Sequence, residues 1–249
     1  MPRTHKTQQR LYVDMPLSAK KTIKLDKMQS NYLANVLRKK TGDRLVLFNG
    51  RDGAWLAFIS TVSRKLVEVE TIECFARQPP HNDLWYGFAP LKSARLDYMA
   101  QKACEMGAGM IQPVVTEYTQ IRRIKEERII ANVIEAAEQC EVLNLPQVLP
   151  QTSLLSLIEN WPRDHSGRIL IIADEEISPA SPIEQLLAHK NRPLGLMIGP
   201  EGGFSQNERD LLRGHDFIVR ISLGPRILRA DTAAVAALAL IQATIGDWD

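Results

Sequence analysis

The stretch that most constrains the chain is Leu194 to Glu208, Leu-Gly-Leu-Met-Ile-Gly-Pro-Glu-Gly-Gly-Phe-Ser-Gln-Asn-Glu. Leu194 to Ile198 is an apolar run of buried-strand length. It breaks into Gly199-Pro200-Glu201-Gly202-Gly203. Three glycines in five residues allow a backbone path that side chains would block, and let a ligand lie against the main chain. Ser205 with Glu208 three residues later is a capping box and predicts a helix start. Strand, glycine loop and helix start together describe a ligand site at the carboxyl edge of an α/β sheet. A plain tight turn is the simpler reading of one Gly-Gly pair. Five loop residues with a carboxylate among them favour a site.

A second loop matches the first. Phe217 to Leu223 reads as a strand and opens into Gly224-Pro225-Arg226-Ile227-Leu228-Arg229. Asp231 or Thr232 is then expected to cap an alanine-rich helix over 233–245, a composition that suits helices. Two such loops at one sheet edge can enclose one ligand. The residues before them alternate in type. Strands are expected over 84–89, 110–115 and 168–173, the last ending in Asp174-Glu175-Glu176. Helices are expected over 96–106 (closed by Gly107), 126–138, 182–187 and from Gln206 to near Gly214, with a Pro-containing loop over 141–152. Alternation of this kind argues for a mostly parallel sheet.

The N-terminal third differs. Residues 1–75 carry 14 Lys/Arg against 7 Asp/Glu, net +7, whereas residues 76–249 carry 17 against 22, net −5. Short strands are expected over 10–13, 23–25, 44–48, 55–62 and 66–75, with a helix over 28–37 capped by Asp26 and presenting Tyr32, Leu33, Val36 and Leu37 on one face. Asn49-Gly50 is a strong turn signal. Several short strands in so few residues read as a small barrel or curled sheet. Arg38, Lys39, Lys40, Arg44 and Arg51 fall near turns where a phosphate could reach them, and Arg10 opens the first strand. Such contacts give affinity without base specificity. A solvated lysine-rich surface is the bland alternative. Residues 77–83, Arg-Gln-Pro-Pro-His-Asn-Asp, have the composition of a linker and place a boundary between domains over 1–76 and 84–249.

Charged residues at 24% and hydrophobic ones at 45% are those of an ordinary soluble globular chain. No apolar run approaches a membrane span. Met-Pro-Arg-Thr-His-Lys leads into no apolar core, so no signal peptide is expected. Cys74, Cys104 and Cys140 are scattered, have no metal spacing, and predict neither a metal site nor a disulfide framework. A reducing cytoplasm is the expected compartment.

Ile-Gly-Pro-Glu-Gly-Gly-Phe-Ser (198–205) followed by Leu-Gly-Pro-Arg-Ile-Leu-Arg-Ala-Asp-Thr-Ala (223–233) resembles the knotted SPOUT-class RNA methyltransferases. Within them the chain is similar to the RsmE-type 16S rRNA uracil-N3-methyltransferase family. Supporting blocks are Val36 to Asp43, Leu47 to Gly50, Gln101 to Gly107 and Glu135 to Gln139. The resemblance implies a PUA-like N-terminal β-barrel and a C-terminal α/β domain whose last segment forms a trefoil knot. It also implies S-adenosyl-L-methionine as methyl donor, 16S rRNA of the small ribosomal subunit as partner, and a homodimer. By the same match Ile198, Gly199, Pro200, Glu201, Gly202, Gly203, Ile221, Leu223, Gly224, Ile227, Leu228 and Arg229 would line the cofactor site. Arg229, Glu201 and Arg226 would be the catalytic candidates. Arg229 and Arg226 could instead serve in salt bridges, perhaps to Glu201 or Asp231, and Glu201 could simply hold its loop. Tyr118, Val142 and Asn144 stand where the family commonly has arginine, and Asp231 where it has glutamate. Arg122 and Arg123 are candidates to supply the missing charge to RNA. The alternatives are a related knotted methyltransferase acting on tRNA or a ribose 2′-hydroxyl, and a non-enzymatic RNA-binding protein.

Overall fold

The structure, a computed structural model, describes residues 8–63, 66–174 and 181–248. Glu175 and Glu176, expected to end a strand, and the segment Met1 to Lys6 lie outside these residues. The chain divides into two compact units, one of residues 1–80 with 137–145, the other of 81–136 with 146–249. The return of 137–145 to the first unit carries no sequence signal that local patterning could detect.

In the first unit, β1 (Arg10–Tyr12), β2 (Thr22–Lys24), β3 (Arg44–Phe48), β4 (Ala54–Val62) and β5 (Val67–Ala76) form a curled sheet in the order β1-β3-β4-β5-β2. The β3-β4-β5 meander is antiparallel and β1 joins β3 in parallel. Register shifts along β4 and β5 bend the sheet, as bulges do. Leu11, Ile23, Leu45, Leu47, Ile59 and Val69 close over its core.

The expected helix over 28–37 is different in form. α1 (Lys27–Asn31) is capped by Asp26 in a capping box with Gln29, and then widens into a π-helical turn over Tyr32–Val36. The Leu37 N–H donates to the Tyr32 carbonyl, five residues back, at 2.9 Å. Widening the turn rotates the later side chains relative to an α-helical face. Leu33 is buried, while Val36, expected on the same face, is 61% exposed.

In the second unit, β6 (Trp85–Phe88), β7 (Met110–Val115), β8 (Gln147–Val148), β10 (Ile169–Ala173), β11 (Leu194–Ile198) and β12 (Ile218–Ile221) run parallel in the order β12-β10-β11-β6-β7-β8. A two-residue strand, β9 (Thr152–Ser153), pairs with β7. The expected loop over 141–152 thus contains one short strand and runs into a second at its end. The helices are α2 (Ser93–Glu105), α3 (Glu126–Cys140), α4 (Leu154–Asp164), α5 (Pro182–Leu187), α6 (Gln206–Arg213) and α7 (Ala230–Ile245). Gly107 follows α2 with φ of +79° and the Gly107 N–H donates to the Cys104 carbonyl, a left-handed helix stop.

α4 had no sequence expectation. Ser153 caps it, and Leu154, Leu157, Ile158 and Trp161 form its buried stripe. Trp161 meets Trp85 edge to face, ring centroids 5.0 Å apart. Only glycine fits beneath this pair. A Cβ at Gly195 would lie 2.8 Å from the Trp161 ring, and one at Gly87 closer still to the Trp85 ring.

One cap is corrected. α7 starts at Ala230 with Arg229 as its N-cap, so neither Asp231 nor Thr232 holds that position. The cap makes no side-chain hydrogen bond. Asp231 instead sits in the first turn, where a carboxylate suits the helix dipole.

Candidate functional site

The loops after β11 and β12 face one another across a cleft of about 740 Å³ that is partly open to solvent. Ile198, Gly199, Pro200, Glu201 and Gly203 supply one side, and Leu223, Gly224, Arg226, Ile227 and Leu228 the other. Ala173 and Asp174 at the end of β10, with Ala230 and Ala233 of α7, close it. Gly199 is required by close packing, because a Cβ there would meet the Phe204 ring at 2.9 Å. Gly224 is required by conformation, since its φ of +102° is one that side chains rarely adopt.

The first loop is fastened at its far end. The Ser205 hydroxyl accepts the Glu208 N–H, and the Glu208 carboxylate accepts the Ser205 N–H at 2.9 Å. The same carboxylate accepts the Glu117 N–H at 2.8 Å. One side chain thus ties the loop after β7 to the start of α6. Arg209 donates its Nε–H to the Phe204 carbonyl at 2.8 Å.

Glu201 is ion-paired with Arg95 of α2, whose Nε also lies 3.9 Å from Asp231. Arg229 and Arg226, for which salt bridges to these carboxylates were the alternative to a catalytic role, make no ion pair among the described residues. Arg226 is exposed on the cleft rim. Arg229 is exposed too, beside the cleft but not part of its lining. Ile221 is buried at the end of β12, and Gly202 faces a second cavity on the other side of its loop.

Sequence reading missed Arg95 and Asp174. Asp174 follows β10 at the carboxyl edge and pairs with Arg220 at 2.5 Å, its side chain 8% exposed. Its place directly after an apolar strand was the available signal. For Arg95 the signal was a cation just past the strand end at Phe88-Ala89-Pro90, within the first turn of the next helix.

The candidate RNA contacts fall into three settings. Arg38 (φ +52°), Lys40 and Arg44 are exposed at the turn leading into β3, with Lys39 half-buried among them. Arg122 and Arg123 are exposed in the segment before α3. Arg10 is partly buried, its guanidinium 5.4 Å from the Phe48 ring centroid. Burial lowers its pKa against the opposing pull of Glu141 and Glu138. Arg10 therefore stands apart from the exposed group. Asn144 donates to the Pro80 carbonyl and accepts from Gln78, so it serves as a structural amide.

A family model for an RNA methyltransferase domain matches residues 78–242, and one for an RNA methyltransferase PUA domain matches residues 25–72. The chain belongs to the RNA methyltransferase family. Its curated relatives include the ribosomal RNA small subunit methyltransferase E of Rickettsia conorii, 31% identical over 94% of both chains. The Synechocystis protein of the same description is 31% identical, covering 90% of this chain and 74% of that one. Among solved structures, the Neisseria gonorrhoeae ribosomal RNA small subunit methyltransferase E bound to S-adenosyl methionine superposes with a TM-score of 0.82. It is 28% identical and covers 97% of this chain and 100% of that one. This family member therefore carries the SPOUT-type α/β domain and the PUA-like unit that its motifs implied. Among the described residues no helix is long and apolar enough to cross a membrane, and no His/Cys/Asp/Glu cluster is arranged for a metal ion.

Proposed function

We propose that the protein methylates N3 of a uridine in 16S rRNA of the small ribosomal subunit, with S-adenosyl-L-methionine as donor. The observation that carries this reading is the cleft between the two glycine-bearing loops. Its composition fits that cofactor. Apolar walls from Ala173, Ile198, Leu223 and Leu228 suit an adenosine, and the glycine backbone admits it closely. Two carboxylates, Glu201 and Asp174, suit a ligand with positive charges on sulfur and nitrogen. When bound, the cofactor supplies an electrophilic methyl group.

The work left to the protein is mostly placement. Holding nucleophile and methyl in line is an orientation effect that can supply several kcal/mol, about 7–11 in the best intramolecular cases. As N3 loses its proton, negative charge grows on the uracil carbonyl oxygens, and fixed donors nearby stabilise it. Arginine suits this task because it donates and stays protonated, which also excludes it as the base. Glu201, held by Arg95, serves as a positioning residue for the loop. Arg226 and Arg229 lie where a strand entering the cleft would pass and are assigned to its phosphates. Arg38, Lys39, Lys40, Arg44, Arg122 and Arg123 add sequence-independent affinity, and a homodimer in the cytoplasm completes the proposal.

The test is twofold. Titration with the cofactor should show saturable binding. Mapping of rRNA modification in a deletion strain should show one N3-methyluridine missing from 16S rRNA. Unchanged modification would reject the proposal.

A further inference from the structure

β6 and β11 are neighbours in the sheet, yet the chain leaves them in opposite directions. From β6 it runs through α2 to β7 on one side, and from β11 through α6 to β12 on the other. In open parallel sheets, ligands bind in the crevice that such a divergence opens.

A second cavity lies at this crevice, with about 1050 Å³ of empty space partly open to solvent. Pro90, Lys92 and Arg95 line it from the loop after β6 and the start of α2, and Pro200, Glu201 and Gly202 from the loop after β11. It shares Pro200 and Glu201 with the cofactor cleft, so the same loop separates the two spaces. Tyr118 forms a further wall. It is 50% exposed, so part of its ring is open to a ligand. A Cβ at Gly202 would lie 3.4 Å from the Tyr118 Cβ and 3.7 Å from its ring. A Cβ at 202 would thus make ordinary van der Waals contact with Tyr118, which shows how near the loop backbone lies to this residue.

We propose that this cavity seats the target base, an unpaired pyrimidine flipped out of its strand. Tyr118 offers the stacking face, and Arg95 and Lys92 are the donors for the base carbonyl oxygens. The proposal rests on the RNA methyltransferase reading and names where its substrate sits. Flipped bases are commonly held by an aromatic face together with hydrogen bonds to their polar edge. Arg95 is suited to the second task because its pairing with Glu201 fixes it without using all five of its N–H donors. The cavity has a different charge from the cofactor cleft. Two cations, Lys92 and Arg95, face a single carboxylate, Glu201, which is itself paired.

Two measurements test this. In the first, cofactor-free protein is irradiated with a 16S rRNA fragment carrying 5-bromouridine at the modified position, and the crosslinked peptide is mapped. A crosslink at Tyr118 supports the seat, and one confined to other segments overturns it. In the second, Tyr118→Ala is expected to lower kcat/KM for the rRNA about 5- to 100-fold, the effect of losing one stacked base. Cofactor affinity should stay within about twofold, and Tyr118→Phe should keep most of the activity. Full activity in Tyr118→Ala, or a parallel loss of cofactor affinity, overturns the proposal, the latter by making Tyr118 a support of the loop. If the wild-type protein binds cofactor but leaves 16S rRNA unmodified, the assigned reaction fails. The seat is then judged on crosslinking of Tyr118 to a bromouridine oligonucleotide, whose absence overturns it.

Discussion

Arg95 in the first turn of α2 is ion-paired with Glu201 in the loop after β11. The two residues are 106 positions apart in the chain, and their contact joins the start of one helix to the loop that walls the cleft. Asp231, 3.9 Å from the same guanidinium, brings in the first turn of α7. The pair is about 40% exposed on each side, which limits its effect on global stability to about 0.2–1 kcal/mol.

Its effect on the site is expected to be specific. Arg95→Met and Glu201→Gln should each weaken cofactor binding about two- to fivefold, the range that a pair of up to about 1 kcal/mol allows. The double variant should bind about as well as the weaker single, because residues in contact are not additive. Cofactor titration of the three variants checks this. Additive losses would show that the two side chains act independently.

The tryptophan pair under β6 and β11 leaves no room for a methyl group. Gly195→Ala and Gly87→Ala should each destabilise the protein by about 1–3 kcal/mol through overpacking. Thermal or denaturant unfolding measures the loss. Gly167→Ala is a useful contrast. Nothing lies within 4 Å of its Cβ position, so only the strain of its φ of +75° would be felt.

Tyr86 is fully buried on β6, stacked on Phe88 at 5.6 Å, and its hydroxyl has no hydrogen-bond partner among the described residues. Burial pushes its pKa up. An unsatisfied buried hydroxyl costs about 1–3 kcal/mol. Tyr86→Phe should therefore raise stability, by about 1 kcal/mol once packing adjusts. A lower midpoint of unfolding would contradict this account.

His165 ends α4 against Trp161, with ring centroids 4.3 Å apart. Burial lowers its pKa, and the nearby Arg168 adds to the shift against Asp164 and Asp83. The unfolded chain therefore binds this proton more readily than the folded one. Above the ordinary histidine value of about 6.5 both forms are neutral and the residue adds no pH dependence. As pH falls below that value, stability should drop, and the drop ends once the folded form also protonates. Asp97 and Asp52 act in the same acid direction at lower pH. The Arg128 hydrogen bond holds Asp97 down, and the Leu17 N–H holds Asp52 down. His165→Gln should flatten the unfolding midpoint between about pH 7 and 5.5. Midpoints measured across that range decide it.

The two glycine loops were legible because their chemistry is local. An apolar strand, a run of glycines and a Ser205–Glu208 box lie within fifteen consecutive residues, and the capping box forms as the spacing implied. Most strands of both sheets were likewise readable from apolar runs and turn signals. α4 was not read, although Leu154, Leu157, Ile158 and Trp161 keep helical spacing. Pro162 in its last turn and the flanking Pro150 suggest a loop. The π-turn at Tyr32 to Val36 was beyond reach, because α and π forms share the same residue preferences and differ in tertiary packing. The salt-bridge partners of Glu201 and Asp231 were sought at Arg226 and Arg229, which are near in sequence. Arg95 is near only in space, brought there by the pairing of β6 with β11.

Glu208 has a further consequence for the two loops it joins. Its two carboxylate oxygens are divided, one on the Ser205 N–H and one on the Glu117 N–H. A movement that swung residues 199–205 outward and carried α6 along would strip the Glu117 amide of its acceptor and loosen the turn that presents Tyr118. The loop after β11 and the turn that carries Tyr118, 91 residues apart at their shared anchor, are thereby held by one carboxylate.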